Sequence, residues 1–456
     1  MKQNHIRRYP STLPSLRMAM PSLVKTSLSG LSPKPKSCRR RLVSAALLIT
    51  LGATLVGTSQ SAAVATLCVN PGGTGGCFSK ITDAVTAAKP HDVIRVAAGT
   101  YAEDVVIGKP LSLVGANPNT TIIDATGLSN AVYVNGLDNA KLSGVVVQGF
   151  RAENANFEGI LITNASNITV WNNNVLNNDK ALDLKNGTCP GIPPFETAES
   201  FDCGEGLHLI GVAFSTVANN TVKQNSGGIL ISDDTAANHD NLISANFVKD
   251  NTLDCGITIA SHPPFTGKAP FGISHNTISG NTSTGNGTAV KGAGAGVGIF
   301  DSVPGTSNRG NVIINNRLTH NGLPGVAMHS HTAGQNLDDN VIVSNYIAFN
   351  GPDTADAATP GPTGINVFGV SPVSGTVISQ NVIEHEGYDI VANTPAQVNP
   401  HLNNLLGNKT GVDNIGKGSV DATENYWGCP KGPEDSACSS VKGPKVLFTP
   451  WLTKPF

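Results

Sequence analysis

Long helical periodicity is missing from this chain, and so are CxxC pairs and any abundance of aromatic rings. Apolar residues do not recur at three- and four-residue spacing over any long stretch, which excludes a helical architecture. The eight cysteines form no CxxC pair, which argues against a cysteine zinc site. Only 14% of the residues are charged and 5% aromatic. What is plentiful instead is glycine, 50 residues of it, together with Asn, Ser and Thr. That composition suits a coil with many tight turns and polar outer faces.

Charge is unevenly spread. Residues 1–65 hold ten Lys or Arg and no Asp or Glu, and Arg39-Arg40-Arg41 precedes the apolar run Leu42 to Val56. This is the pattern of an export signal, with Ala63-Val64-Ala65 at the expected cleavage site and a mature chain starting near Thr66. The apolar run is shorter than the ~18–20 residues that span a bilayer, so cleavage is expected rather than membrane insertion. Without the leader, 20 basic residues face 32 acidic ones, a net charge of 20 − 32 = −12 against −2 for the whole chain. An acidic mature protein disfavours nucleic acid and anionic membranes as partners, and highly anionic polysaccharides unless a cation intervenes. A monomer is expected.

The cysteines agree with export. Cys68 and Cys77, Cys189 and Cys203, and Cys429 and Cys438 are near neighbours in sequence, so three local disulfides are the simplest pairing. Cys255 is left over, and its place beside Gly256 at a strand start predicts a buried structural thiol.

Two short patterns alternate along the chain. One is Asn, any residue, aliphatic, as in Asn220-Thr221-Val222, Asn246-Phe247-Val248 and Asn345-Tyr346-Ile347. The other is Gly followed by aliphatic, any, aliphatic, as in Gly228-Ile229-Leu230-Ile231, Gly256-Ile257-Thr258-Ile259 and Gly364-Ile365-Asn366-Val367. Period-two alternation means strands, and recurrence every ~20–50 residues means stacked units that bury their apolar faces against one another. Asn at a fixed place predicts a left-handed corner residue and a ladder of amides between coils. The fold expected is an all-β, right-handed parallel β-helix. Residues 66–130 form an N-terminal cap and first coils, 131–395 the main repeats, and 396–456 the last coils with a disulfide-pinned cap. Ser79 to Ala88 reads as an amphipathic capping helix with Ser79 as N-cap. Ala181 to Lys185 reads as a strand, and Cys189 to Cys203 as a loop on the outer face. Excursions at Pro263 to Pro270, Thr282 to Ala295 and Gly351 to Pro362 are candidates for walls of a groove.

The resemblance to a known family rests on these repeats, on Ala98-Gly99-Thr100-Tyr101 and Leu113-Val114-Gly115 near the start, and on Asn425-Tyr426-Trp427-Gly428 near the end. Nearly all of residues 66–456 resembles the pectin-lyase-like right-handed β-helix superfamily. The Asn-rich repeat and the ending most resemble its branch of nitrous oxide reductase accessory proteins and exported β-helix proteins. The superfamily includes lyases, hydrolases, epimerases, esterases, adhesins and non-catalytic members, so the resemblance does not choose an activity.

Chemistry is sought on the outer face. Counting from each glycine, places one and three point inward and places two, four and six outward. Places five and six on successive coils read Asp233-Asp234, Ser261-His262, Asp301-Ser302 and Ser330-His331, with His329 at place four. Coils stack about 4.8 Å apart, which gathers these residues into one patch. Asp234 is placed to orient His262. Asp233 and Asp301, about 10 Å apart at the backbone, approach the spacing of an inverting glycosidase pair. His329 and His331 share a face, with Asp301 one coil below, as bases or as metal ligands. Asp233-Asp234 followed by His262 resembles the paired Asp and following His of polygalacturonases, but no Asn-Thr-Asp precedes and no Arg-x-Lys follows. Three functions fit: a carbohydrate-active enzyme of lyase or hydrolase type using Asp233, Asp234, Asp301, His262, His329 or His331, with calcium as the one cofactor it would call on; a non-catalytic surface β-helix in which these groups only brace turns; and a metal-binding accessory protein with Asp301, His329 and His331 as ligands. Trp171, which follows an outward place, is expected to pack rather than to stack on a sugar.

Overall fold

The computed structural model describes residues 63–196, 203–262, 271–371, 373–407 and 409–456. Residues 1–62 of the expected leader and the excursion Pro263 to Pro270 lie outside these. Each coil contributes three short strands, and equivalent strands pair in parallel along three sheets of 12, 12 and 11 strands. A right-handed parallel β-helix results, as the alternation of the two patterns requires.

Each coil's glycine-led strand joins one of the 12-stranded sheets, here called the glycine-led sheet. Its register aligns Ile160, Leu207, Ile229, Ile257, Val297, Val326 and Ile365 at place one. All of these are at most 1% exposed. Stacked Ile, Leu and Val side chains fill the coil from end to end, each worth ~1.5–3 kcal/mol of burial, and no coil could bury them alone. Glycine heads the strand because a side chain there would collide with the next coil. A Cβ on Gly256 would strike Ser283 and the Asn286 amide, and one on Gly228 the Gly256 carbonyl.

Amide ladders brace the corners. In the ladder that starts at Asn173 and ends at Asn425, each Asn donates a backbone N–H and a side-chain N–H to the Asn of the next coil: Asn220 to Asn246 (3.0 and 3.0 Å), Asn246 to Asn281 (2.9 and 3.0 Å), Asn281 to Asn316 (2.9 and 3.0 Å). A second ladder runs from Asn178 to Asn350 and ends on Glu386. The left-handed residue is not the ladder Asn, as the sequence suggested, but the residue before it. Asn219, Ala245, Asn315, Ser344, Gln380 and Leu402 all have φ between 52° and 59°. The amide is kept for its hydrogen bonds, while the strained place beside it accepts many side chains.

At the N-terminal end the helix spans Ile81–Ala87 and buries Ile81, Ala84 and Val85. Ser79 does not cap it. The Glu103 carboxylate reaches across from the coil instead and accepts from the N–H groups of Ile81 (2.8 Å) and Thr82 (2.9 Å). A remote carboxylate satisfies the free donors of the first turn as a local cap would. Trp427, fully buried, fills the core near the other end. Disulfides join Cys68–Cys77, Cys189–Cys203 and Cys429–Cys438, and Cys255 is a buried free thiol whose Sγ accepts from the Ala295 N–H at 3.1 Å.

Two further expectations fail. Residues 181–185 form turns with a single antiparallel bridge, Asp183 to Thr188, because Lys185, Asn186 and Gly187 fold back onto Asp183. Trp171 is 41% exposed on a different sheet, so it neither packs in the core nor reaches the glycine-led face. Among the described residues no helix is long and apolar enough to cross a membrane.

Candidate active site

The outer face of the glycine-led sheet is not an open polar surface. His208, Leu230, Thr258, Ala327 and Asn366 at place two, and Ser232, Ala260 and His329 at place four, are buried. Loops cover them. The 351–362 excursion lies across the sheet, where the Asn366 side chain donates to the Ala358 carbonyl at 3.2 Å. What remains open is a cleft of about 380 Å³ over the strands Ile257–Ser261, Val297–Asp301 and Val326–Ser330. Phe300 lies on its floor, folded back over Gly298, where any Cβ would collide with the ring.

His262, Asp301, His329 and His331 border this cleft, and the loops add Asp254, Asp353 and Asp356. His331 has an acceptor on each ring nitrogen: Nδ1 lies 3.0 Å from the Asp301 carbonyl and Nε2 3.0 Å from Asp356 Oδ2. A ring so placed is best satisfied doubly protonated, and the hydrogen bond to Asp356 raises its pKa despite burial. In return His329 and His331 hold the Asp356 carboxyl well below the usual carboxylate range. His329 stands beside it, its Nε2 at 2.8 Å from Asn366 Oδ1 and 3.4 Å from Asp353 Oδ2, and its Nδ1 at 3.6 Å from Asp356 Oδ2. Across the cleft, His262 Nδ1 lies 3.6 Å from Asp234 Oδ1. Burial pushes the Asp234 carboxyl up, but the charge and hydrogen bonding of His262 outweigh it and leave it below the ordinary range.

The two carboxyls expected to work as a pair do not face the cleft together. Place five turns into the corner. The Asp233 carboxylate accepts from the His262 N–H (2.9 Å), the Ser261 hydroxyl (3.1 Å) and the Gly272 N–H (2.5 Å). It is a corner brace, and burial raises it to about 6 against those hydrogen bonds. Asp301 meets His331 through its carbonyl, not its carboxyl. Its carboxyl is fully buried, and burial together with the Asp233 charge pushes it up to about 8. The metal-capable group in the cleft is therefore His329, His331 and Asp356, whose ligand atoms lie within 4.8 Å of one another, with Asp356 in the place foreseen for Asp301.

Asp353 and Asp356 were not foreseen as site residues. They sit in a Gly, Pro, Thr and Ala-rich excursion with no periodicity to fix where its side chains point. The only signal was the excursion itself.

Residues 113–302 match the family described as a right handed beta helix region. No curated protein matches the sequence. Among solved structures, the fold is similar to the catalytic domain of a GH87 alpha-1,3-glucanase in complex with tetrasaccharides, at 14% identity over 81% of this chain and 66% of that one, with TM-score 0.52. It is also similar to an alginate lyase from Paenibacillus sp. str. FPU-7, at 13% identity over 84% and 99% of the two chains, TM-score 0.40. A third is DFA-IIIase from Arthrobacter chlorophenolicus A6 without its lid, at 13% identity over 82% and 98%, TM-score 0.48. At 14% identity the likeness to the glucanase domain concerns architecture, not activity. The chain is a right-handed parallel β-helix protein.

Proposed function

We propose that this protein is an exported enzyme that hydrolyses a neutral polysaccharide laid across the cleft of its glycine-led sheet. The observation that carries this reading is the charge of the cleft. Asp254, Asp353 and Asp356 border it, and among the described residues no Lys or Arg does. A polyuronate would meet like charge there, whereas a neutral glycan would not. Glycoside hydrolysis passes through a cationic, oxocarbenium-like transition state, which ionised carboxylates stabilise. His331 protonates the leaving glycosidic oxygen with the Nε2 proton that it otherwise shares with Asp356. His262, oriented by Asp234, takes the proton of the attacking water, and the Asp353 and Asp356 carboxylates stabilise the developing positive charge. Phe300 offers an apolar floor for a sugar ring. Three disulfides accord with an oxidising compartment, which together with the leader supports export.

The test is release of reducing ends from neutral polysaccharides by the purified protein, with His331→Gln as control. The variant is expected to lose roughly 10²–10⁴-fold in rate. Equal rates in wild type and His331→Gln would remove His331 from the mechanism. A second reading is favoured by the proximity of His329, His331 and Asp356, which suits a metal-dependent or metal-carrying role. Metal bound by the wild type and lost in His331→Gln would select it.

A further inference from the structure

A second cluster of ionisable groups lies outside the cleft, on the same sheet beside Phe195 and Glu196. Glu158 immediately precedes Gly159, and Glu205 holds the same place one coil on, before Gly206. The Gly159 N–H donates to the Glu205 carbonyl at 3.2 Å, which fixes these two glutamates as stacked neighbours. Phe195 stacks on Tyr133 with ring centroids 6.4 Å apart and brings Glu196 down onto the sheet. Glu196 Oε2 then lies 3.9 Å from His208 Nδ1. Glu158, Glu196, Glu205 and His208 are all at most 1% exposed.

His208 shows what the cluster is suited to hold. Its Nε2 lies 3.0 Å from the Ser232 hydroxyl, while its Nδ1 is buried with no hydrogen-bond partner. The tautomer that gives its Nε2–H to Ser232 leaves a lone pair on Nδ1, aimed at carboxylate oxygens that are themselves acceptors. A cation between the imidazole and a carboxylate would give the orphaned Nδ1 lone pair the partner it lacks.

We propose that Glu158, Glu196 and His208 bind a divalent transition-metal ion, of the zinc or manganese kind, in a closed structural site. One ligand atom from each residue lies within 4.8 Å of the others, a spread that closes onto bonds of about 2.0–2.2 Å with a small inward shift. Two carboxylates balance a divalent charge. An imidazole nitrogen in the set favours zinc or manganese over calcium and magnesium, which take oxygen shells. Full burial leaves no open position for substrate, so the ion fastens the loop bearing Glu196 to the coil. Asp234 interacts with both His208 and His262.

The experiment is metal analysis of the full-length protein purified without a chelating resin, alongside Glu196→Gln, His208→Asn and His331→Gln. One zinc or manganese ion per wild-type chain is expected, lost in the first two variants and retained in His331→Gln. Should the buried variants fail to fold, chelation of the wild type gives an independent readout. EDTA is expected to lower Tm by roughly 5 °C or more, with recovery on adding zinc or manganese chloride but not calcium chloride. A metal-free wild type whose Tm ignores EDTA and all three salts overturns the proposal. So does metal that persists in both Glu196→Gln and His208→Asn, metal lost only in His331→Gln, or recovery with calcium alone.

Discussion

Asp301 is buried where its charge is unwelcome, and that has a measurable consequence. Burial and the Asp233 charge push its carboxyl up to about 8 in the folded protein, against about 3.9 in an unfolded chain. Between those values the folded state holds a proton that the unfolded state has released. Stability therefore falls as pH rises from about 4 to about 8 and levels off above. Asp301→Asn removes this contribution, so urea denaturation should show the variant matching wild type near pH 4 and exceeding it at pH 9, by an order of a few kcal/mol. Identical pH slopes in the two proteins would mean that the carboxyl is ionised throughout. Asp233, raised to about 6, and Glu386, raised by burial to about 7, act in the same direction, so part of the slope persists. A second residue-scale consequence concerns the left-handed corners. Ala245 sits at φ 52° and is exposed, a conformation costing an alanine about 1–2 kcal/mol. Ala245→Gly relieves that strain at an entropic cost of about 0.5–1 kcal/mol. A small rise in Tm is expected, and a clear fall would show that the corner is unstrained.

The strands and the ladders differ in how well they could be read beforehand. Period-two alternation behind a glycine placed the strands to within a residue or two, and the columns counted from that glycine match the paired register from His208 to Asn366. Burial of the core enforces that register, because a one-residue slip would turn every aliphatic outward. The ladder was foreseen but its strained residue was misplaced by one, since the place before each Asn accepts Ala, Ser, Gln or Leu and leaves no single-residue signature. The helix cap was misread because Glu103, 22 residues from Ile81, does the work that a local Ser would do. His262, His329 and His331 were legible as neighbours because they sit on the regular strands or one residue past their ends. Asp353 and Asp356 were not, because an irregular loop carries them. The ladders allow a direct test at the element scale. Asn281 accepts two hydrogen bonds from Asn246 and donates to Ile243 and Asn316. Asn281→Ala strands these buried donors and acceptors, with an expected loss of about 2–4 kcal/mol in denaturant unfolding. A loss below about 0.5 kcal/mol would mean that the ladder carries little of the stability.

At the scale of the molecule, a rigid coil supplies the floor of the cleft, and loops that leave it supply the acidic walls. That division matches the chain's chemistry: repeats conserve shape from coil to coil, and excursions place charge where no repeat would. It also sets the pH behaviour of the proposed reaction. His331 acts as an acid only while protonated, so activity should fall as pH rises through its raised pKa. Asp356, held ionised well below the usual range, should not limit activity at any moderately acidic pH. A rate that instead climbs steadily into alkali would assign the limiting group to a base. The most direct measurement is a screen of the purified protein on neutral and uronic-acid polysaccharides, with and without calcium, recording both new reducing ends and the absorbance of unsaturated product. The expected result is reducing ends from a neutral glycan without unsaturated product. Unsaturated product from a polyuronate, or no product from any glycan, would contradict a neutral-glycan hydrolase.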